Sequence, residues 1–211
     1  MAEESDGRKQ RANRRRSQRR GQILAASRKV FCTKGYHASS VADVITAANI
    51  ARGTFYLYFP SKRAVLESLL DEMFAQIAGT VRRISLEPGA PSVPEQMHGN
   101  VRRLIDVLEQ NRDLTIILLR EAVGLDADFD HKLNAFYDRI SDVIDGALRL
   151  GQSMGLVRSC DTRLVAFCVL GSLKEVILRR LTGGDQSLDR DQLAWEIVEY
   201  NMRGVFVSGD R

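Results

Sequence analysis

The chain has 211 residues, of which 44% are hydrophobic and 27% are charged, values that are ordinary for a folded globular protein. No stretch approaches the ~18 uninterrupted apolar residues of a transmembrane helix, and three cysteines without a C-x-x-C pair do not make a disulfide framework. Basic residues are concentrated at the front: residues 1–65 carry 14 Lys and Arg against 4 Asp and Glu, whereas residues 66–211 carry 17 against 23. This asymmetry is typical of a nucleic-acid-binding module joined to a domain of another kind.

Residues 1–19 contain almost no apolar side chains, so burial cannot offset the entropy that is lost when they become ordered. We therefore predict a disordered basic arm over this segment. A signal peptide is not expected, because charged residues cut off the short apolar run at 23–26. The basic side chains either follow DNA phosphates or only keep the chain solvated, and the residues concerned are Arg14, Arg15, Arg16, Arg19 and Arg20.

Three short helical patterns follow the arm. An apolar stripe predicts a first helix over 20–34, which Gly35 ends. A second apolar face over 41–48 begins behind the candidate N-caps Ser39 and Ser40.

A tight break separates the second pattern from the third. Asn49 enters the left-handed conformation at low cost, and a third helix is predicted over 51–59, where Pro60 stops it. Helix, short turn and helix is the outline of a helix-turn-helix, whose second helix lies in the major groove of DNA.

The predicted third helix contains no acidic residue between Ala51 and Phe59. A helix that faces water normally mixes both charge signs, whereas this one offers Arg52, polar hydroxyls and Gly53, which permits a close approach. Such a face suits phosphates and base edges. The alternative is a short aromatic connector packed onto a core.

The run from residue 35 to residue 62 resembles the DNA-binding domain of the TetR family of transcriptional regulators. The resemblance covers residues 20–65 and rests on Gly35-Tyr36, Ser40-Val41, Asn49-Ile50, Gly53-Thr54-Phe55-Tyr56 and Tyr58-Phe59 followed by Lys62. Two positions depart from the family pattern. Asn49 stands where Gly is usual, and Ala51 stands where a Ser commonly caps the helix, a cap that contributes about 1 kcal/mol.

The resemblance implies an all-α fold of about nine helices in two domains. Residues 20–65 form a three-helix helix-turn-helix DNA-binding domain, and residues 66–211 form a helical ligand-binding and dimerisation domain. Between Leu164 and Leu173 the chain is apolar nearly all round, so both sides of this helix should be buried. This favours a partner subunit, over an intrachain core alone, as the surface that buries the second side. The last two helices look like the pair that forms the homodimer interface in TetR-like proteins. Apolar periodicity predicts helices at 61–84, 94–110, 112–123, 128–154, 161–181 and 188–206.

We expect the helix-turn-helix to contact the DNA operator through one set of residues. Arg52 suits guanine or phosphate, Thr54 suits a base edge, and Leu57 suits a thymine methyl group. Phe55 and Phe59 have the spacing of core residues instead. Two recognition helices in a two-fold dimer lie about 34–36 Å apart, which predicts a near-palindromic operator. The expected set is Ser39, Ser40, Arg52, Gly53, Thr54, Tyr56, Leu57, Tyr58 and Lys62.

The resemblance also implies a small-molecule inducer that releases a repressor from DNA in the bacterial cytoplasm. Ligand binding would shift the population toward a state in which the helix over 61–84 is displaced. For each candidate pocket residue, ordinary core packing is the alternative. The candidates are Phe74, Ile77, His98, Leu104, Leu118, Phe136, Tyr137 and Ile140.

Two other classes of protein remain as alternatives. A non-specific architectural DNA-binding protein would use the basic arm, but it would not need an acidic body. A helical-bundle metalloenzyme would use Glu95 and His98 as a Glu-x-x-His pair, yet the required second copy is missing. No nucleotide-binding or hydrolase motif occurs, so neither enzymatic activity nor a cofactor is expected.

Overall fold

The computed structural model of the chain describes residues 2–121, 127–183 and 188–205. These residues form nine α-helices and no strand, which confirms the prediction of an all-α fold of about nine helices. No helix within the described ranges is long and apolar enough to cross a membrane. The helices are α1 Ala2–Lys34, α2 Val41–Ala48, α3 Arg52–Tyr58, α4 Lys62–Thr80, α5 Val93–Gln110, α6 Arg112–Ile116, α7 Ala127–Ser153, α8 Thr162–Leu181 and α9 Arg190–Val205.

The chain divides into two compact units, which we call the first unit, Met1–Met73, and the second unit, Phe74–Arg211. In the first unit, α1 packs along α2, and α2 contacts α3. The apolar stripes of the sequence meet in one core between these helices and the start of α4. Its most deeply buried members are Ile23, Phe31, Val44, Phe55, Val65 and Leu66.

The helix α1 begins at Ala2, whereas we predicted a disordered arm over 1–19 and a first helix from residue 20. The arm has little to bury, but it is rich in Arg, Ala, Glu and Gln, which are strong helix formers, and it contains no proline. A helix that already exists from residue 20 onward grows by one residue at a time without a new nucleation step. The basic segment therefore continues the helix that follows it.

The helix α4 ends at Thr80, earlier than the predicted end at residue 84. The segment that follows is held by side chains of α5. Asn100 accepts a hydrogen bond from the N–H of Arg82 and donates one to its carbonyl, both at 2.8 Å. Gln96 makes the same pair of bonds with the backbone of Ser85. Because these bonds satisfy the backbone groups, another helical turn is not needed.

In the second unit, α5 packs along α9, and α7 packs along α8. Glu109 of α5 pairs with Arg180 of α8 at 2.6 Å and also with Arg190 of α9, so three helices share one group of ions. A buried apolar cluster joins the ends of α7, α8 and α9, and it consists of Leu148, Val157, Ala166 and Val205.

Two further helix boundaries in the second unit differ from the predicted ones by more than one residue. After Ile116 the chain continues as a π-helical turn, Ile117–Glu121, and the predicted end at residue 123 lies outside the described residues. The helix α9 begins at Arg190 instead of 188, because the Asp189 carboxylate accepts hydrogen bonds from two N–H groups of its first turn. Its predicted end at residue 206 also lies outside the described residues.

Candidate nucleic-acid interface

The start of α2 is fixed by a capping box between Ser40 and Asp43. The hydroxyl of Ser40 accepts from the N–H of Asp43 at 3.2 Å, and the Asp43 carboxylate accepts from the N–H of Ser40 at 2.8 Å. Asp43 also forms a salt bridge with Lys34 of α1. Hydrogen bonds from Lys34 and then from Ser40 lower the pKa of Asp43 from 3.8 to about 2. Ser40 is therefore the N-cap, as one of the two predicted serines.

The turn between α2 and α3 depends on Asn49, whose φ of 50° lies in the left-handed region. The N–H groups of Asn49 and Ile50 bond to carbonyls in the last turn of α2, which ends the helix. Ala51 then precedes α3 with an extended backbone and makes no side-chain cap. The sequence departure at Ala51 thus leaves the recognition helix without a side-chain cap of its own.

The helix α3 has two chemically different faces. Phe55 and the adjoining Phe59 are buried, as their spacing predicted, and they anchor the helix in the first unit. Away from these two rings, the Leu57 side chain is 76% exposed, and Arg52 at the start of the helix is also exposed. The Arg52 guanidinium lies 5.9 Å from the ring centroid of Tyr56. An exposed leucine on a helix that also exposes a cation and a phenol is suited to contact with a thymine methyl group.

Gly53 lies on the exposed face of α3, and no internal contact requires a glycine there. A Cβ atom at this position would meet nothing within 4 Å, and the backbone φ is not positive. A glycine within a helix destabilises it by about 0.5–1 kcal/mol relative to alanine. No contact inside the protein compensates for this loss of stability. A glycine at this position therefore favours the close approach of another molecule to α3.

Two residues of the expected DNA-binding set point into the protein. The buried Ser39 donates its hydroxyl hydrogen to the carbonyl of Tyr36 at 2.7 Å. The ammonium group of Lys62 donates to the carbonyls of Tyr36 and Ser39 at 2.6 and 2.7 Å, and desolvation lowers its pKa. Their side chains bind the loop between α1 and α2. From sequence alone, a serine or lysine at a helix start that contacts DNA cannot be distinguished from one that binds a loop of its own chain.

The helical arm adds a feature that we did not predict. Its cationic face and the end of α3 form a groove of about 710 Å³. Arg15 and Arg19 stand one helical turn apart on this face, so the helix sets the spacing of charges that a disordered arm would leave variable. The groove is lined by Ala12, Arg15, Arg16, Gln18, Arg19, Gln22, Leu57 and Tyr58.

Three of the eight expected ligand-binding residues lie together in the second unit. Phe74 and Phe136 stack with their ring centroids 3.6 Å apart, and Tyr137 tilts against Phe136 at 5.6 Å. Burial raises the pKa of Tyr137 to about 12, so its hydroxyl is a neutral hydrogen-bond donor at physiological pH. The remaining apolar members are buried or half-buried: Ile77, Leu104, Leu118 and Ile140.

His98 lies apart from these rings, between α5 and α9. It stacks on Trp195 at 4.2 Å, and its Nε2 atom is 3.2 Å from both the carbonyl oxygen and a carboxylate oxygen of Asp191. Glu95, which precedes it by three residues, forms a capping box with Ser92. The two residues are therefore not arranged as a di-iron pair, and no group of three or more metal-ligating side chains occurs in the described part of the chain.

Comparisons with known proteins agree with this geometry. The chain is 25% identical over 185 residues to the fatty acid metabolism regulator protein of Bacillus subtilis, which is 87% of this chain and 94% of that protein. The fatty acid degradation regulator FadR of Bacillus halodurans superposes with a TM-score of 0.74 at 27% identity, covering 88% of this chain and 95% of that one. FadR of Bacillus subtilis, in complex with stearoyl-CoA, shares the fold with a TM-score of 0.70 at 24% identity, covering 87% and 97%.

Two family profiles together span most of the sequence. Residues 23–69 match the one for bacterial regulatory proteins of the tetR family, and residues 90–205 match the tetracyclin repressor-like C-terminal domain. The first match includes the helix-turn-helix with its exposed, acid-free α3. The chain therefore belongs to the TetR family, and it is a DNA-binding transcriptional regulator.

Proposed function

We propose that the protein is a homodimeric repressor that binds a near-palindromic operator and is released from it by a long-chain acyl ligand. The observation that carries the DNA-binding part is the exposed face of α3. This face presents Arg52, Gly53 and Leu57 to solvent, has no acidic residue, and is anchored from behind by Phe55.

The contacts follow from the chemistry of each exposed side chain. Arg52 binds guanine or phosphate, Leu57 packs on a thymine methyl group, and Thr54 reaches a base edge. Tyr56 and Tyr58 donate hydroxyl hydrogens to phosphates. Ser40, the N-cap, places the positive end of α2 against the sugar-phosphate backbone of the DNA. Ser39 and Lys62 act indirectly, by holding the loop between α1 and α2. Gly53 allows the backbone of α3 to approach the DNA closely.

Dimerisation through α8 and α9 is supported by apolar side chains that these helices leave uncovered. Leu164 is 60% exposed, Phe167 is 47% exposed and Tyr200 is 74% exposed. A groove of about 610 Å³ runs between the two helices, with Cys168 and Val169 on its wall. Large exposed apolar patches mark interaction sites, and a second copy of the same pair would cover this one.

The proposal of an acyl ligand rests on relatives and on the aromatic side chains of the second unit. The FadR of Bacillus subtilis holds stearoyl-CoA, and FadR of Bacillus halodurans is a regulator of fatty acid degradation. The stacked rings of Phe74 and Phe136 offer apolar surface of the kind that an alkyl chain prefers. Phe74 belongs to α4, so a ligand that separates the rings acts on the helix that also contains Lys62. The bacterial relatives support a location in the cytoplasm, where the DNA is.

A selected DNA site tests the proposal. We expect the wild type to enrich a near-palindromic sequence from a random duplex library, and to bind it more tightly than a shuffled duplex in fluorescence anisotropy. Arg52→Ala should weaken binding to the selected site by about tenfold or more, since one good base contact contributes about 1–3 kcal/mol. Arg139→Ala, which removes an exposed arginine of α7 outside the proposed dimer interface, serves as the matched control.

The ligand is tested with the same duplex. Palmitoyl-CoA should release the protein from the selected site, whereas free coenzyme A should not. Failure of palmitoyl-CoA to change the anisotropy would reject the proposed inducer and leave the DNA-binding part intact. If the library yields no preferred site and Arg52→Ala binds like the wild type, the helical basic arm of α1 makes a non-specific architectural protein the better assignment.

A further inference from the structure

The helix α8 carries one cation inside its buried stripe. The stripe runs along one side of the helix, and Lys174 occupies the position four residues after Leu170 and three residues before Ile177. Apolar or small residues fill the neighbouring positions of this stripe, which are Ala166, Leu170, Ile177 and Leu181. Lys174 is half-buried, and an ammonium group that loses part of its hydration needs a partner, so a lysine at this position requires an explanation.

The nearest partner of this ammonium group is an aromatic ring of α7. The Nζ atom of Lys174 lies 3.8 Å from the ring centroid of Tyr137. The side chain is half-buried, and among the described residues no carboxylate lies within salt-bridge distance of it. A cation–π contact recovers part of the hydration that the ammonium group has lost, but it does not neutralise the charge.

The same pair of helices uses carboxylates for another half-buried cation. Arg163, at the start of α8, pairs with Asp142 and, at 3.6 Å, with Asp138, both on α7. Lys174 has no such partner in the described part of the chain. A structural salt bridge is therefore not the reason for a lysine at this position.

Lys174 and Tyr137 together form an uncompensated donor pair. The hydroxyl lies at the edge of the ring that the ammonium group covers, so both donors lie within one ring's width. Burial lowers the pKa of Lys174 and raises the pKa of Tyr137 to about 12, because in both residues the charged form loses hydration. The phenol thus stays neutral and able to donate, while an arriving anion would stabilise the ammonium form.

We propose that Lys174 and Tyr137 are the anion-binding part of the ligand site, and that they hold a carboxylate or phosphate head group whose alkyl chain extends toward Phe136. The inference rests on the proposed function, since it concerns the same small-molecule site. Phe136 adjoins Tyr137 at 5.6 Å and stacks on Phe74, so an apolar surface continues directly from the donor pair. The ligand class is accordingly an amphipathic anion.

Isothermal titration calorimetry with three probes of equal chain length tests the site: palmitate, palmitoyl-CoA and uncharged hexadecanol. Lys174→Met should weaken binding of at least one anionic probe by about tenfold, the value of one charge-assisted contact. Hexadecanol binding should not change, and Lys174→Arg should retain most of the affinity. Tyr137→Phe should weaken the binding of the same anion to a smaller degree. Arg139→Met removes an exposed cation from α7, the helix of Tyr137, and should behave as the wild type.

The two sources of the negative charge are separated by the probes. A loss confined to palmitate assigns a carboxylate to Lys174, and a loss confined to palmitoyl-CoA assigns a phosphate. Equal binding of both anions by the wild type and Lys174→Met would overturn the inference while leaving the acyl ligand in place.

If neither acyl anion binds the wild type, the proposed inducer is rejected. Acetylation of lysines with a trace of acetic anhydride then tests, independently of the inducer, whether Lys174 binds an anion. Protection of Lys174 by octanoate or octyl phosphate, read by mass spectrometry, would uphold it. Unchanged labelling with both probes would overturn it.

Discussion

The ammonium group of Lys62 lies 4.3 Å from the ring centroid of Tyr36 and donates a 2.6 Å hydrogen bond to the carbonyl of the same residue. A second bond, to Ser39, places the first residue of α4 on the last residues before α2. Three helices of the first unit are thus held by one side chain. Through this contact, the start of α4 determines the position of the loop that leads into the helix-turn-helix.

Replacing Lys62 with Met should destabilise the first unit. Two hydrogen bonds from a charged donor are lost, although the carbonyl of Tyr36 keeps the Ser39 hydroxyl as a donor, so the free energy of unfolding should fall by about 1–2 kcal/mol in urea titrations. Operator affinity should fall through misplacement of the loop, with an unchanged dependence on salt. A phosphate contact by Lys62 would instead reduce the salt slope by about one. Lys29→Met, at an exposed position of α1, is the control.

Gly53→Ala should separate stability from DNA binding. The new Cβ atom meets no protein atom within 4 Å, so the variant should be more stable by about 0.5–1 kcal/mol in thermal unfolding. Operator binding should weaken, because the methyl group occupies the space of the approaching DNA, at a cost of about 1–3 kcal/mol. Gly146→Ala, at an equally open position of α7, should leave DNA binding as it is. Unaltered operator affinity in Gly53→Ala would exclude a close approach at this position.

The capping box at Asp43 should make stability depend on acid. The folded-state pKa is lowered to about 2 from 3.8, so the stabilisation is complete above about pH 4 and is lost as pH falls toward 2. Asp43→Asn should show a shallower loss of stability across this window in urea unfolding followed by circular dichroism. Parallel curves for the variant and the wild type would show that another carboxylate dominates acid unfolding.

Glu109 should be important for the stability of the second unit. Its side chain and that of Arg180 are each 14% exposed, and Arg190 also pairs with it. Glu109→Gln leaves the Arg180 guanidinium without its anion, whereas Arg190 keeps Asp106 at 3.3 Å, and unfolding should become easier by about 2–4 kcal/mol. Glu175→Gln breaks an exposed pair with Arg179 within α8 and should have little effect on the denaturation midpoint. Similar shifts for the two variants would contradict the role of burial.

The helix-turn-helix could be predicted because its determinants are local. Ser40 as a cap, Asn49 as the left-handed turn residue, and Phe55 with Phe59 as anchors are all read from spacing and residue type. The end of α4 could not be predicted in this way. It depends on Asn100 of α5, which is distant in sequence and binds the chain at residue 82.

The candidate sites were predictable to a smaller degree. Lys62 has the sequence pattern of a DNA contact, and only the three-dimensional arrangement shows its ammonium group bound to carbonyls. Lys174 gave no signal, because one lysine in an amphipathic helix is ordinary until its neighbours across α7 are known. The helical arm does not follow from burial, because it depends on helix propensity and on continuity with the helix that begins near residue 20.

The separation of α3 into buried anchor residues and exposed residues also affects how the protein can evolve. Phe55 and the adjoining Phe59 hold the helix in place, while Leu57 is exposed and Gly53 touches nothing inside the protein. A seven-residue helix is too short to be stable on its own, so its conformation depends on those two anchors. Substitutions on the outer face can therefore change which DNA sequence is preferred without a penalty in folding. A duplicated copy of such a protein can acquire a new set of target genes by a few surface changes, provided that both phenylalanines are kept.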